Sequence, residues 1–225
     1  MMFAGIVKSS TVDYPKKIVS TIFTLGCNFS CDYCQNADLI QIEEEKFILS
    51  DKEIIEFLKK RKNILDGVCI TGGEPSIWGD KLIEFLKQIK NEIGEHFLIK
   101  VDTNGANPEF VKKIIKIVDF IAIDFKSLEY EKFSKVKKDV ILDSIELLKN
   151  SNIDYEIRIT MYPLYVQEGD FSKYIEILKG VKKIAIQQFQ NKIVYVDKHI
   201  NPYENEIIEK FYKLFKENNF NIELR

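Results

Sequence analysis

A chain of 225 residues, 45% hydrophobic and 30% charged, has the length for one sizeable core and the composition of a soluble globular protein. Its formal net charge of −2 leaves no general basic surface of the kind that holds nucleic acid. No run of about 18 uninterrupted apolar residues occurs, and no basic flank precedes a long apolar segment at the N-terminus, so no membrane association is expected and the location expected is the cytoplasm.

Residues 1–17 carry little apolar periodicity, and Asp13-Tyr14-Pro15 reads as a turn. A first strand is expected over about residues 18–25, followed by a loop with three cysteines. Ser50-Asp51-Lys52-Glu53 is a capping-box pattern, and Ile54, Ile55 and Leu58 mark the apolar face of the helix behind it. The basic end of that helix, Lys59-Lys60-Arg61-Lys62, suits the helix dipole and solvent. A short strand at 67–71 runs into Gly72-Gly73-Glu74-Pro75, and Leu82, Ile83, Leu86 and Ile89 line the next helix.

A third strand, 97–101, leads into Asp102-Thr103-Asn104-Gly105. Asn107-Pro108 opens a helix carrying Phe110, Val111, Ile114, Ile115 and Val118. The fourth strand, 120–123, ends in Asp124-Phe125-Lys126. A helix at about 139–149, a strand at 155–160, a helix capped by Asp170 and a strand at 183–188 follow. Asn201-Pro202 opens the last helix, and residues 220–224 add an extended piece. Six alternations of strand and helix, with strands that are continuous apolar runs, predict one α/β domain over residues 1–225. Right-handed crossovers make it an open (β/α)6 partial barrel with a mainly parallel sheet; a doubly wound sheet is the alternative.

The polar motifs share a position. The cysteine loop, Gly72–Pro75, Asp102–Gly105 and Asp124–Lys126 lie at or just past successive strand ends. Arg158 lies towards the end of strand five, and Gln187-Gln188 ends strand six. Strand C-terminal ends are where parallel α/β folds build sites.

Three of the four cysteines, Cys27, Cys31 and Cys34, fall within eight positions at C-x3-C-x2-C spacing. Three thiolates on one loop can hold three corners of a cubane iron–sulfur cluster and leave one iron open. A closed zinc or cluster site is the other reading, with Cys69 as fourth ligand, although Val68-Cys69-Ile70 looks like core filling. His96 and His199 have no ligand spacing to a partner. Crowded thiols of this kind point to a reducing compartment.

With these residues assembled, the chain resembles the radical S-adenosylmethionine (SAM) enzymes. Cys27, Cys31, Tyr33 and Cys34 match that superfamily's C-x3-C-x-aromatic-C motif, and Gly72–Pro75 its GGEP motif. Asp13-Tyr14-Pro15, Gly26-Cys27-Asn28, Thr71–Pro75, Asp102–Gly105 and Asp124-x-Lys126 are similar to the glycyl-radical enzyme activating family, over nearly the whole chain. Within it the resemblance is closest to the anaerobic ribonucleoside-triphosphate reductase activating proteins, and more distant to pyruvate formate-lyase activating enzyme. Gln35-Asn36 stands where the family often has His-Asn, and Pro15-Lys16 where it often has Pro-Gly. Both departures bear on the protein partner rather than on the cluster.

The resemblance implies a [4Fe–4S] cluster on Cys27, Cys31 and Cys34, with SAM on the fourth iron. It implies SAM contacts for Gly72, Gly73 and Glu74 at the methionyl end, and for Lys126 at the carboxylate. Asp102, Thr103 and Asp124 would border that carboxylate, where relatives hold a monovalent cation. Arg158 would reach ribose or carboxylate, Tyr33 and Gln188 the adenine, and Asp13 and Gln35 the incoming protein. The substrate implied is a glycine of a partner glycyl-radical enzyme, with flavodoxin or ferredoxin as electron donor. Two rivals remain open here: a radical SAM enzyme acting on a small molecule such as a deazapurine precursor, and a non-catalytic iron–sulfur or zinc module.

Overall fold

Residues 1–17 hold two strands that their apolar pattern does not announce: β1 (Met2–Phe3) and β2 (Gly5–Ser10). The structure, a computed structural model, describes residues 1–191 and 200–225, so His199 lies outside the described residues. β2 runs antiparallel along β3 (Val19–Thr24), with Ile6 opposite Ile22 and Val7 opposite Thr21. Most of its side chains are exposed or half-buried, as befits a strand at the sheet edge, and an edge strand needs no apolar alternation. β4 (Leu49–Ser50) pairs with β1.

The described chain divides into two compact units. The first comprises Met1–Asn28, Asn36–Thr103 and Glu109–Ile121. After β4 it holds α1 (Asp51–Arg61), β5 (Gly67–Gly72), α2 (Gly79–Ile93), β6 (Leu98–Thr103), most of α3 (Pro108–Ile114) and the start of β7 (Phe120–Asp124). The capping box forms: Ser50 Oγ accepts from the Glu53 backbone, and the Glu53 carboxylate accepts from the Ser50 backbone. Such a cap stabilises a helix by about 1 kcal/mol. Strand order is β2-β3-β5-β6, and from β3 onward the pairing is parallel. Ile54, Ile55 and Leu58 of α1 and Leu82, Ile83, Leu86 and Ile89 of α2 are buried, as their spacing predicts.

The second unit comprises Phe29–Gln35, Asn104–Pro108 and Ala122–Arg225. It holds the end of β7, α4 (Lys138–Lys149), β8 (Asp154–Thr160), α5 (Phe171–Ile177), β9 (Ile184–Gln187), α6 (Asn205–Glu217) and β10 (Ile222–Leu224). Strand order is β7-β8-β9-β10, with β8, β9 and β10 parallel. β10 is the extended piece expected at 220–224. Two helix starts differ from expectation. Asp170 makes no capping bond; its carboxylate accepts from Lys173 instead, at 2.7 Å. The last helix begins at Asn205 after an extended Glu204, so Asn201-Pro202 stands before it rather than opening it. The six predicted strand–helix alternations are present as an α/β fold with a mostly parallel sheet. No helix among the described residues is long and apolar enough to cross a membrane.

Candidate active site

In the first unit, Gly72 ends β5, Gly73 follows it, and the pair packs backbone against backbone. Gly72 has φ +118, and a β-carbon there would stand 2.4 Å from both the backbone N and O of Thr24. At Gly73 the β-carbon would stand 2.1 Å from the carbonyl oxygen of Gly26. These close approaches are held by Gly73 N–H donating to the Thr24 carbonyl (3.0 Å) and Glu74 N–H to the Gly26 carbonyl (2.7 Å). The residue before Cys27 is thus fixed by the GGEP turn, and Cys27 N–H donates to Ile40. Gly73→Ala is expected to cost about 1–3 kcal/mol, the range for overpacking, read as a lower denaturation midpoint at unchanged slope.

Glu74 is buried, and its Oε1 accepts from the Ser76 backbone (3.0 Å) and from Thr103 Oγ1 (2.5 Å). One carboxylate oxygen therefore caps the turn at Pro75 and ties it to the end of β6. Asp102, at the same strand end, forms an ion pair with Lys100. Asp13 accepts from Thr21 of β3 at 2.6 Å.

In the second unit, Asp124 at the end of β7 accepts from Arg158 Nε of β8 (2.7 Å) and from Lys126 Nζ (3.2 Å). Burial works against the charge of Asp124, but the two cations outweigh it and hold the carboxyl well below the usual range. Burial likewise opposes the charge of Lys126, and the Asp124 carboxylate reverses this, keeping the ammonium protonated. The ammonium lies 5.6 Å from the centre of the Tyr33 ring, and Lys126 N–H donates to Tyr130 Oη.

The segment bearing Cys31 and Cys34 rests in a nest of rings. Tyr33 meets Tyr162, Tyr165 and Phe189 at 5.0, 5.5 and 6.4 Å between centroids. Phe29 packs edge-on against Tyr130 and Phe133, and Phe133 stacks on Tyr165 at 4.4 Å. Backbone bonds pin the loop as well: Asp32 N–H donates to Tyr165 Oη, and Ser30 N–H to the Phe133 carbonyl. Burial pushes the Tyr33 and Tyr165 hydroxyls far above the usual phenol range, so both rings stay neutral. Cys31 is buried, while Cys27 and Cys34 are half-buried.

The structure therefore joins Glu74 with Thr103 in one unit, and Tyr33, Asp124, Lys126 and Arg158 in the other. Gln35 is exposed, and Gln188 is exposed just past β9, its amide donating to the Tyr203 carbonyl. Lys100, Tyr130, Phe133, Tyr162 and Tyr165 escaped the sequence reading. An ionisable residue inside an apolar strand was the available signal for Lys100. The rings fall in irregular segments with no periodicity to flag them.

Among the described residues, no three His, Cys, Asp or Glu side chains gather closely enough to hold one metal ion. A cubane cluster asks for a different donor set, three thiolates each on its own iron. Cys27, Cys31 and Cys34 are thiols outside any disulfide, the donor type that such a cluster takes. Cys69 is fully buried within β5, its sulfur 3.8 Å from Lys100 Nζ.

The profile described as the radical SAM superfamily matches residues 21–169, more than half of the chain. The chain belongs to the radical SAM superfamily. A Methanocaldococcus jannaschii protein named as a glycyl-radical enzyme activating enzyme is 36% identical over 224 residues, covering 92% of this chain and 89% of that one. The pyruvate formate-lyase-activating enzyme of Listeria monocytogenes is 28% identical, covering 82% and 80%. This radical SAM protein is thereby an enzyme of the glycyl-radical activating type. The solved structure of anSMEcpe with bound AdoMet shares its fold, at TM-score 0.62 and 15% identity over 88% of this chain. The chain spans 61% of that structure's length. Membership of the radical SAM family implies a [4Fe–4S] cluster and SAM.

Proposed function

We propose that this activase takes hydrogen from a glycine Cα of a partner glycyl-radical enzyme, and that the partner is an anaerobic ribonucleoside-triphosphate reductase. The observation that carries the reading is the anchoring of the Cys31–Cys34 segment in the ring nest, beside Lys126 and its carboxylate partner. A cluster held by Cys27, Cys31 and Cys34 would supply the reductive cleavage of SAM, using an electron from an external donor, and with it the means of removing the hydrogen.

The chain's own part is to bind, orient and exclude water. Cys27, Cys31 and Cys34 would hold the cluster. Lys126, kept charged by Asp124, would take the methionyl carboxylate, and Arg158, on the same Asp124, would take ribose or carboxylate. Gly72, Gly73 and Glu74 shape the wall at the methionyl end, with Asp102 and Thr103 at the neighbouring strand end. Tyr33 and Gln188 border the adenine. Asp13 and Gln35 meet the partner protein, and exposure of Gln35 agrees with that role. Reducing cytoplasm suits thiols outside disulfides, and a flavodoxin or ferredoxin delivers the electron.

The test is anaerobic. Reconstituted protein, reductant, SAM and the reductase are mixed and examined by electron paramagnetic resonance. The expected result is a protein-based glycyl signal that requires all four components. A silent reductase together with a SAM-dependent change in a small metabolite, such as a deazapurine precursor, would move the assignment to the small-molecule class.

A further inference from the structure

Lys100 sits inside an otherwise apolar strand and is 1% exposed. Residues two apart on a strand share a face, so Lys100 and Asp102 lie on one side of β6. Register places Cys69 of β5 beside Lys100, and Thr21 of β3 beside Cys69. On that face the Lys100 ammonium pairs with the Asp102 carboxylate, the two side chains being 2% and 10% exposed. The ammonium also approaches the Cys69 sulfur at 3.8 Å and the Phe120 ring centre at 6.0 Å. A buried carboxylate and a buried ammonium in contact offset one another's desolvation.

The family resemblance places a monovalent cation beside Asp102 and Asp124. The residues here do not fit one. Asp102 already faces a fixed positive charge, and a second cation against the same oxygen would be repelled at close range in a poorly solvated place. Asp124, within its own unit, is matched by Arg158 and Lys126. We infer that Lys100 is a built-in cation at Asp102, a positioning residue that makes SAM binding by this enzyme independent of sodium or potassium. The inference rests on the proposed placement of Asp102 at the border of the SAM site.

The test uses the anaerobically reconstituted, reduced protein. SAM is titrated while the cluster's paramagnetic signal is followed, in buffer whose only cation is tetramethylammonium and in the same buffer with sodium or potassium added. The wild-type protein is expected to give the same SAM dissociation constant in all three. Lys100→Met is expected to bind SAM about tenfold more weakly in tetramethylammonium and to recover with potassium or sodium. A wild-type protein that binds SAM only when sodium or potassium is present overturns the inference, and this arm needs no variant to fold. A variant indifferent to the buffers overturns it too, as does a weakened variant that neither ion restores. A wild-type signal unmoved by SAM in every buffer overturns the SAM-site reading itself, an outcome distinct from cation dependence.

Discussion

Cys31→Ala, purified and reconstituted without oxygen, is expected to bring cluster absorbance, iron and sulfide content and SAM cleavage down to background. Cys31 is the buried member of the three and sits in the loop that Tyr165 and Phe133 fix, so no nearby thiol takes over its corner. Cys69→Ala is the control. Its sulfur lies within β5 against Lys100, and a protein lacking it is expected to retain the cluster and its response to SAM. Iron loss in the Cys69 variant equal to that in the Cys31 variant would make Cys69 a fourth ligand. The open iron on which the activase chemistry depends would then be gone.

Asp124→Ala should destabilise the protein by about 3 kcal/mol, the low end for breaking a buried ion pair. The carboxylate is the shared counterion of Arg158 and Lys126, whose side chains are 15% and 14% exposed. Removing it takes one counterion away from both cations. Asp124 is itself 29% exposed, so solvent already screens the pair and keeps the loss at the low end. Urea unfolding of the cluster-free protein measures this. The folded carboxyl titrates well below its ordinary value of 3.8, although burial alone would raise it. Its contribution is therefore complete above that value and shrinks as pH falls below it. The gap between wild type and variant is expected to narrow on acidification; a gap unchanged by acid would assign the loss to packing instead.

The sequence carried the alternating plan and the strand-end motifs because both are periodic or punctuated by Gly, Pro and Asp. Ser50–Glu53 could be read as a cap because its bonds are local. β2 could not, since Lys8 and Ser9 are exposed on an edge strand and leave no apolar period. Gly72 and Gly73 were legible as a motif, yet the close approach they permit inside the first unit, to Thr24 and Gly26, depends on a pairing between distant segments. Lys100 shows the same limit. The period of two puts Lys100 and Asp102 on one face, but that this face is buried depends on what surrounds it in space. Tyr130, Phe133, Tyr162 and Tyr165 converge from two irregular stretches, and only the fold brings them to Tyr33 and Phe29.

The anchoring of residues 29–35 bears on cluster assembly. Freezing one residue's backbone costs about 1–2 kcal/mol, so a floppy cysteine loop would oppose uptake of iron and sulfide at every step. The contacts to Tyr165 and Phe133 offset part of that cost, so fewer of the loop's degrees of freedom are left to freeze when iron and sulfide are taken up.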